Sequence, residues 1–440
     1  MKSSSIVINI LALLVYVSGF GQDSISINNK TQKEVHFKRL HQAQQKYLHW
    51  IDKKDREFPF AVPAVAYNKY DGVMVGAAFV NLKQPVKHID FTASLLYGTK
   101  SKKVNGTANV DYYYRPKKGI VSLVKPGVKF QSFTQSINET TGKRFKYYAI
   151  HPEIILMMNH RTEKLEKLEH QVAFTNHIIL QNDIAFNYET NTYDKDTLTR
   201  YYVNELKYTF KRKDDNFPVS ASLSIEQSNK FAKINFEANS FIRYHYKDHK
   251  TGVHFRLFVG GFLWRKIQKP NAGYSLAGFN YNLTGTTGPN NYKYDEFFVT
   301  RNENEGFGAN QISRNDGFLK VVSPLQSPNI GQSGNFIIAF NTKIDFPIKY
   351  VPLKLFFDLG YMSDKVVNPN TPPALNQFAY DFGFMYSFFD GGFEIYFPLV
   401  YSKEYRTYYK SNNIKFGQRI TFLLDLHKLE LHKKIRDMKF

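Results

Sequence analysis

The feature that most restricts the fold is a strict alternation of aromatic and non-aromatic residues in the C-terminal half. Between 378 and 388 every second residue is Phe or Tyr, and the residues between them are Ala, Asp, Gly, Met and Ser. Successive side chains of a β-strand point to opposite faces, so this segment would present one wholly aromatic face. The same period recurs at 336–346, 355–361, 393–399 and 416–424. These segments therefore predict a series of β-strands, each with one apolar face.

Earlier segments, at 172–186 and 234–246, alternate in the same way with more polar opposite faces. The chain is 16% aromatic, yet its mean hydropathy is −0.42, which fits strands that are apolar only on a lipid-facing side. A soluble β-sandwich would also alternate, but connections predicted to be long and short in turn are typical of outer-membrane barrels. An open sheet edge in hydrocarbon would leave backbone groups without partners, so the sheet has to close.

We therefore predict an all-β fold, a transmembrane antiparallel β-barrel that occupies residues 59–440. The barrel is expected to have about 16 strands, within a range of about 12–16, and to place both chain ends in the periplasm.

The N-terminus resembles an export signal. Lys2 provides a basic start, and the apolar run from 6 to 17 is shorter than the about 20 residues of a transmembrane helix. Small residues at 18–21 then predict cleavage near Gln22, so 1–22 is read as a signal peptide, with an uncleaved anchor helix as the alternative. Residues 23–58 lack a strand period and are predicted to form a periplasmic N-terminal extension. Together these features predict localisation in the cell outer membrane of a Gram-negative bacterium.

The charge balance concerns possible partners. The formal net charge is +21, from 59 Lys and Arg against 38 Asp and Glu, which would suit a nucleic-acid binder. Export argues against nucleic acid, so outer-membrane lipid and lipopolysaccharide phosphates are the predicted partners, together with a periplasmic or surface protein. A lumen that favours anions and a merely solvated surface are the alternatives.

One long insert, predicted at 264–333, interrupts the strand pattern and is expected to form an extracellular loop or a plug inside the lumen. Its acidic and aromatic stretch offers groups that could pair with the lumen wall. The predicted loop or plug contacts are Tyr294, Asp295, Glu296, Phe297, Arg301 and Glu303. Trp264 is expected to anchor the preceding strand at the membrane interface, because its ring suits the headgroup level.

The rest of the sequence gives little indication of a metal or catalytic site. His245, His249 and His254 lie close in sequence, but they are expected to flank a solvated turn, and no metal site is predicted. Asp358 and Asp381 fall on non-lipid faces and are expected to be partnered by Lys or Arg. No motif groups a nucleophile with a base, so we predict no catalytic residue, no cofactor and no enzymatic activity.

Two segments, 67–76 (YNKYDGVMVG) and 294–303 (YDEFFVTRNE), resemble a known family. They are similar to the C-terminal outer-membrane β-barrel region of large bacterial gluzincin-class zinc aminopeptidases, with a likeness that would run from about residue 59 to the C-terminus. The zinc motif His-Glu-x-x-His of that family is absent, so no catalytic residue carries over. The resemblance implies a barrel without the peptidase domain.

Three functions follow as expectations. The first is a surface scaffold or binding barrel without enzymatic activity. The second is a channel or transport protein for small, including anionic, solutes. The third is a membrane-anchoring partner or remnant of an aminopeptidase.

Overall fold

A computed structural model describes the chain from residue 59 to 425, together with residue 428. Within that range it leaves out 82–87, 138–141, 160–167, 188–191, 215–216, 245–250, 267–278, 304–305, 323–329, 347–351 and 364–376. The predicted signal peptide and N-terminal extension lie outside the described residues, as do His245 and His249.

The described chain is almost entirely β-structure. The strands before the insert are β1 (Pro59–Asn68), β2 (Gly72–Asn81), β3 (Ile89–Gly98), β4 (Val104–Tyr112), β5 (Val121–Ile137), β6 (Arg144–Asn159), β7 (Leu168–Asn187), β8 (Thr192–Arg212), β9 (Val219–Gln227), β10 (Phe231–Arg243) and β11 (Gly252–Arg265). The insert carries β12 (Tyr281–Asn282) and β13 (Gln332–Ser333), with 3-10 helices at Gly288–Asn290 and Phe307–Asn310. After it come β14 (Phe336–Asp345), β15 (Leu353–Ser363), β16 (Gln377–Phe388), β17 (Phe393–Tyr401), helix α1 (Lys403–Ser411) and β18 (Thr421–Leu424), with further 3-10 helices at Phe389–Gly391 and Phe416–Arg419.

Sixteen strands form one antiparallel sheet in chain order, in which β11 lies next to β14. The short pair β12 and β13 forms a separate two-stranded sheet. The predicted antiparallel architecture of about 16 strands is therefore confirmed. The insert leaves the sheet and returns to it without adding a strand, because its two flanking strands pair directly.

The two faces of the sheet differ as a lipid-facing barrel requires. Along β14, Ile338 and Phe340 point outward and are 39% and 36% exposed, whereas Ala339 and Asn341 face inward and are buried. In a closed sheet, large apolar side chains on the outer face suit contact with the lipid chains, and the inward face carries the polar groups. These two faces are those of a transmembrane β-barrel, because a sheet that spans a bilayer has to close so that its edge groups are paired.

No helix in the described part of the chain is both long enough and apolar enough to cross a membrane.

Several predicted boundaries are wrong. The connections after β5 and β7 were expected to be longer, but β7 and β8 are separated only by 188–191, since the long strands extend beyond the sheet rim. The predicted strand at 416–424 shrinks to Thr421–Leu424. Helix α1 was not predicted. Its Tyr405 and Tyr409 lie one helical turn apart and are both 1% exposed, so a helix buries them on one side where a strand would not.

The last strand is short, and the insert lies beside it. β18 pairs with β17 from Phe393–Leu424 to Tyr396–Thr421. On its other edge, the amide of Ile312 donates to the Phe422 carbonyl at 2.8 Å, and Phe307 stacks on Phe422 with ring centroids 4.9 Å apart. Just after β1, the amide of Lys69 donates to the carbonyl of Val299 at 3.1 Å. The insert thus contacts both ends of the sheet, and within the described residues no register joins β1 to β18.

Candidate functional site

The insert begins after Arg265 and ends before Phe336, slightly later than predicted, because Trp264 still belongs to β11. Trp264 is 44% exposed near the end of that strand. Inside the barrel the insert reaches inward-facing side chains of β5, β6, β8 to β11 and β14 to β18. It therefore fills the lumen across most of the wall.

Two wall glycines make room for the insert. A Cβ added at Gly260 on β11 would lie 2.7 Å from the ring of Tyr281, and one at Gly360 on β15 would collide with the side chain of Leu283. Tyr281 and Leu283 are both fully buried. The Tyr281 hydroxyl also donates to Asn235 Oδ1 at 2.6 Å. The wall is thus shaped for the large side chains of the insert, as close packing requires.

The most deeply buried contact joins Lys320 of the insert to the carboxylates of β15 and β16. Lys320 Nζ lies 2.8 Å from Asp358 Oδ2, and both side chains are 0% exposed. The Lys320 amide donates to Asp381 Oδ2 at 2.6 Å, and Asn341 donates to Asp358 Oδ1 at 3.0 Å. A buried charge is tolerated only when it is paired and hydrogen-bonded, so Lys320 neutralises a site where two wall carboxylates face each other in register.

A second cation of the insert, Arg314, contacts the wall at the C-terminal strands. Its Nη2 lies 3.0 Å from Glu394 Oε2, and its Nη1 lies 2.9 Å from Asp425 Oδ2. The Arg314 carbonyl accepts from Arg256 Nη2 at 3.1 Å. Burial lowers the pKa of Arg314, but the carboxylate of Glu394 outweighs it and raises the pKa above its usual value. Arg314 therefore stays charged when docked.

The third cation, Lys293, binds two carboxylates on the opposite part of the wall. Its Nζ lies 2.8 Å from Glu205 Oε2 on β8 and 2.9 Å from Glu226 Oε1 on β9. The neighbouring Tyr292 hydroxyl donates to Glu226, and His177 Nε2 lies 2.9 Å from Glu205. Burial lowers the pKa of Lys293, but Glu205 and Glu226 outweigh it and raise the pKa well above its usual value. Three insert cations thus meet acidic patches of the wall.

An aromatic cluster holds the remaining part of the insert. The ring of Tyr294 packs edge-on against Tyr147 and Phe133, at centroid distances of 4.8 and 5.2 Å. Arg301 is fully buried beneath Tyr294, with its guanidinium carbon 5.1 Å from the ring centroid. Its Nη1 lies 3.9 Å from Glu296 Oε2, a long contact for two buried charges. Burial raises the pKa of Tyr294 to about 12 and lowers that of Arg301.

The structure brings most of the predicted contact residues to this region. Tyr294, Glu296 and Arg301 are buried, Phe297 is half-buried, and Asp295 is exposed. Glu303 lies 2.9 Å from Lys69 Nζ and accepts a hydrogen bond from the Tyr70 hydroxyl, beside the first hairpin.

The principal contacts were missed in the sequence. Lys293, Arg314 and Lys320 were not singled out, although each is a cation inside a segment otherwise rich in Gly and Asn. The sequence signal that could have pointed to these cations lies in the strands. Asp358, Asp381 and Glu394 face inward from otherwise apolar strands, as was expected for Asp358 and Asp381. Inward carboxylates in a lumen require cationic partners, and the insert supplies them.

The described histidines and carboxylates form no group able to hold a metal ion. His254, the described member of the sequence cluster, lies 3.4 Å from Asp345 Oδ2 in an ion-pair geometry.

Glu296 predicts a pH dependence. Burial raises its pKa to about 7, against the opposing charges of Arg301 and Arg314, from a usual value of 4.5. A carboxyl whose pKa is raised on folding stabilises the docked state most below pH 4.5 and loses that contribution as pH rises through about 7. We expect the free energy of unfolding to fall by up to about 3 kcal/mol across this window because of Glu296.

Urea unfolding from lipid vesicles at several pH values measures this change, with Glu296→Gln as the variant that cannot titrate. The difference between wild type and variant should grow steadily from pH 4.5 to 7. Parallel pH profiles for the two proteins would show that Glu296 does not titrate in this range. Burial also raises the pKa of Asp316 in the insert. Because wild type and variant both contain Asp316, its effect on the free energy of unfolding does not enter the difference between them.

No family model and no curated protein matches the chain. Solved structures of outer-membrane barrels resemble it in fold. BamA from Haemophilus ducreyi lacking POTRA domains 1-3 is 10% identical, with a TM-score of 0.46 over 78% of this chain and 67% of that one. CdiB from Acinetobacter baumannii is 11% identical, with a TM-score of 0.36 over 79% of this chain and 57% of that one. The copper transporter OprC is 10% identical, with a TM-score of 0.31 over 77% of this chain and 52% of that one.

The chain thus spans between about half and two thirds of the length of these proteins. The similarity is one of fold, and it carries no function over. Nothing in these comparisons points to gluzincin aminopeptidases, and that resemblance stays a prediction.

Proposed function

We propose that the protein is a gated passage across the outer membrane, in which the insert closes the lumen at rest. The observation that carries the proposal is the pairing of three insert cations, Lys293, Arg314 and Lys320, with wall carboxylates. Small barrels fill their interior with wall side chains, whereas barrels of about 16 strands enclose an aqueous channel unless something occupies it. A wide barrel filled by a separate polar segment fits a gate better than a simple anchor.

The kind of contact also favours a gate. Ionic and hydrogen-bonded contacts lose little when water replaces them, since the freed charges become hydrated. The insert also packs apolar side chains such as Tyr281 and Leu283 against the wall, so its ionic contacts lower the cost of leaving the lumen but do not remove it. The mixed charges of the wall suit passage of polar solutes. A surface scaffold is the second candidate, because the insert also lies beside both ends of the sheet. The relation to aminopeptidase barrels stays a prediction.

Removal of the insert tests the proposal. The Phe262 amide donates to the Asn335 carbonyl at 2.8 Å, so the two strands are close enough to be joined by a tight hairpin turn. Replacing 263–334 by Asn-Gly, the dipeptide that favours two-residue hairpins, should leave the strands paired. We expect stable single-channel currents in planar bilayers from this variant and rare or no currents from the full chain.

Heat-modifiable gel migration would establish that the shortened barrel is folded. A folded variant that conducts no better than the full chain would exclude the gate and favour the scaffold. Open currents of equal size from both proteins would show that the insert does not close the lumen.

A further inference from the structure

A cavity lies at the rim where β3 turns into β4 and where β6 begins, away from the insert cations. Its volume is about 320 Å³, and it is lined by Ser101, Lys103, Val104, Arg144, Lys146 and Tyr148. Three of these six residues are cationic and none is acidic. The rim is the one from which the insert also departs, since both follow odd-numbered strands of the sheet.

Two of the three cations are available to an anion. Lys146 is engaged, with its Nζ 3.0 Å from Asn105 Oδ1 and 3.7 Å from the buried carboxylate of Asp71. Arg144 uses Nη2 to reach the Lys100 carbonyl at 3.1 Å, while its buried Nε has no hydrogen-bond partner among the described residues. In the described part of the chain, no ion pair engages Lys103. A guanidinium beside a primary ammonium is a pairing that recognises phosphate.

The cavity borders on lipid-facing surface. Val104 is 64% exposed and Tyr148 is 39% exposed, and Tyr97, the register partner of Val104, is 47% exposed. These apolar side chains point outward from strands that continue directly below the cations. An occupant that meets both surfaces has an anionic head and a hydrocarbon body. Tyr148 at this level also suits the interface between headgroups and acyl chains.

We propose that this rim cavity binds the phosphate group of a membrane lipid, with Arg144 and Lys103 contacting the phosphate and the acyl chains lying along Val104 and Tyr148. A free phosphate would satisfy the cations but would make no use of the adjoining apolar surface. The proposal does not depend on the gate. None of the six lining residues belongs to the insert, and none is a wall carboxylate that pairs with an insert cation.

The test uses the full chain purified in detergent and titrated with fluorescently labelled, phosphorylated lipid A in the same detergent. We expect saturable binding for the wild type. The double variant Lys103→Gln/Arg144→Gln should bind about 25-fold more weakly, since each cation contributes about fivefold to the attraction of an anionic headgroup. Lys146 is left unchanged because its contact with Asp71 belongs to the folded rim.

The matched control is Lys118→Gln/Lys211→Gln, which removes two exposed cations at the opposite rim. It should bind as the wild type does, and heat-modifiable migration should be the same for all three proteins. Equal binding by wild type and the Lys103/Arg144 variant would overturn the proposal. So would equal binding of dephosphorylated lipid A. Displacement of the labelled lipid by inorganic phosphate at comparable concentration would show that the acyl chains add nothing to binding, and would overturn the lipid as the occupant of the cavity in favour of free phosphate.

Discussion

Replacing Lys320 by Met should destabilise the protein by about 3–5 kcal/mol, because the change leaves a fully buried carboxylate without its cation. Asp358 and Lys320 are both 0% exposed and 2.8 Å apart, so no water can take the place of the ammonium. Asp381 already lies beside Asp358 in the register, and the loss of Lys320 leaves two carboxylates facing each other. The free energy of urea unfolding from lipid vesicles measures the effect.

A rescue distinguishes the lost charge from the lost packing. Adding Asp358→Asn to Lys320→Met removes the orphaned charge, and the introduced amide oxygen still accepts a hydrogen bond from Asn341. The double variant should regain most of the stability. Lys211→Met, at an exposed position, should change it by no more than about 0.5 kcal/mol. A Lys320→Met protein as stable as the wild type would mean that the insert is not docked at this site.

Replacing Lys293 by Met should open the barrel, with channel currents far more frequent than in the wild type. Lys293 bridges Glu205 and Glu226. Without it Glu226 keeps the wall cation Lys233, 3.3 Å away, whereas Glu205 keeps only the imidazole of His177. Glu205 is then the carboxylate that loses its cation. Because Lys293 is 17% exposed, the loss should cost about 2–3 kcal/mol, less than for a fully buried pair, which corresponds to a change of about thirtyfold or more in the closed-to-open ratio. Single-channel recording of the full-length variant measures it.

The matched control is Lys69→Met, which removes the ion pair with Glu303 at the rim. That lysine is 43% exposed, so its pair should contribute at most about 1 kcal/mol and its loss should change the currents little. Adding Glu205→Gln to the Lys293→Met protein should restore closure, because Glu226 stays paired with Lys233. If Lys293→Met and Lys69→Met gave the same currents, the buried pair would not hold the gate.

The strands were the predictable part of this protein. The aromatic face of β16 is set by the residues themselves, since a period of two assigns each side chain to one side of the sheet regardless of its neighbours. The inward places of Asp358 and Asp381 follow from the same period. The strand number was also accessible, because each connection ends an alternating run.

The C-terminal segment was harder to predict from the sequence. Residues 416–424 alternate as a strand does, but only four of them pair, because Phe416–Arg419 forms a 3-10 helix. The insert lies on the other edge of β18, where the Ile312 amide donates to the Phe422 carbonyl. Helix α1 was not predicted because its two buried tyrosines lie in a segment as polar as a loop. Local pattern cannot decide between such states when a distant segment supplies the partner.

The sequence by itself determined which side chains face lipid and which face the lumen, because that choice depends only on residue type and the two-residue repeat. Only the tertiary structure decided which charges meet. Arg314 binds Asp425 across 111 residues of sequence, and Lys293 binds Glu205 across 88. Nothing in a local window fixes such pairs, since they depend on how the insert enters the lumen and on the space left by Gly260 and Gly360. The identity of the plug contacts is therefore a property of the closed barrel, where burial in a low-dielectric interior makes each correct pair far more favourable than an unpaired charge.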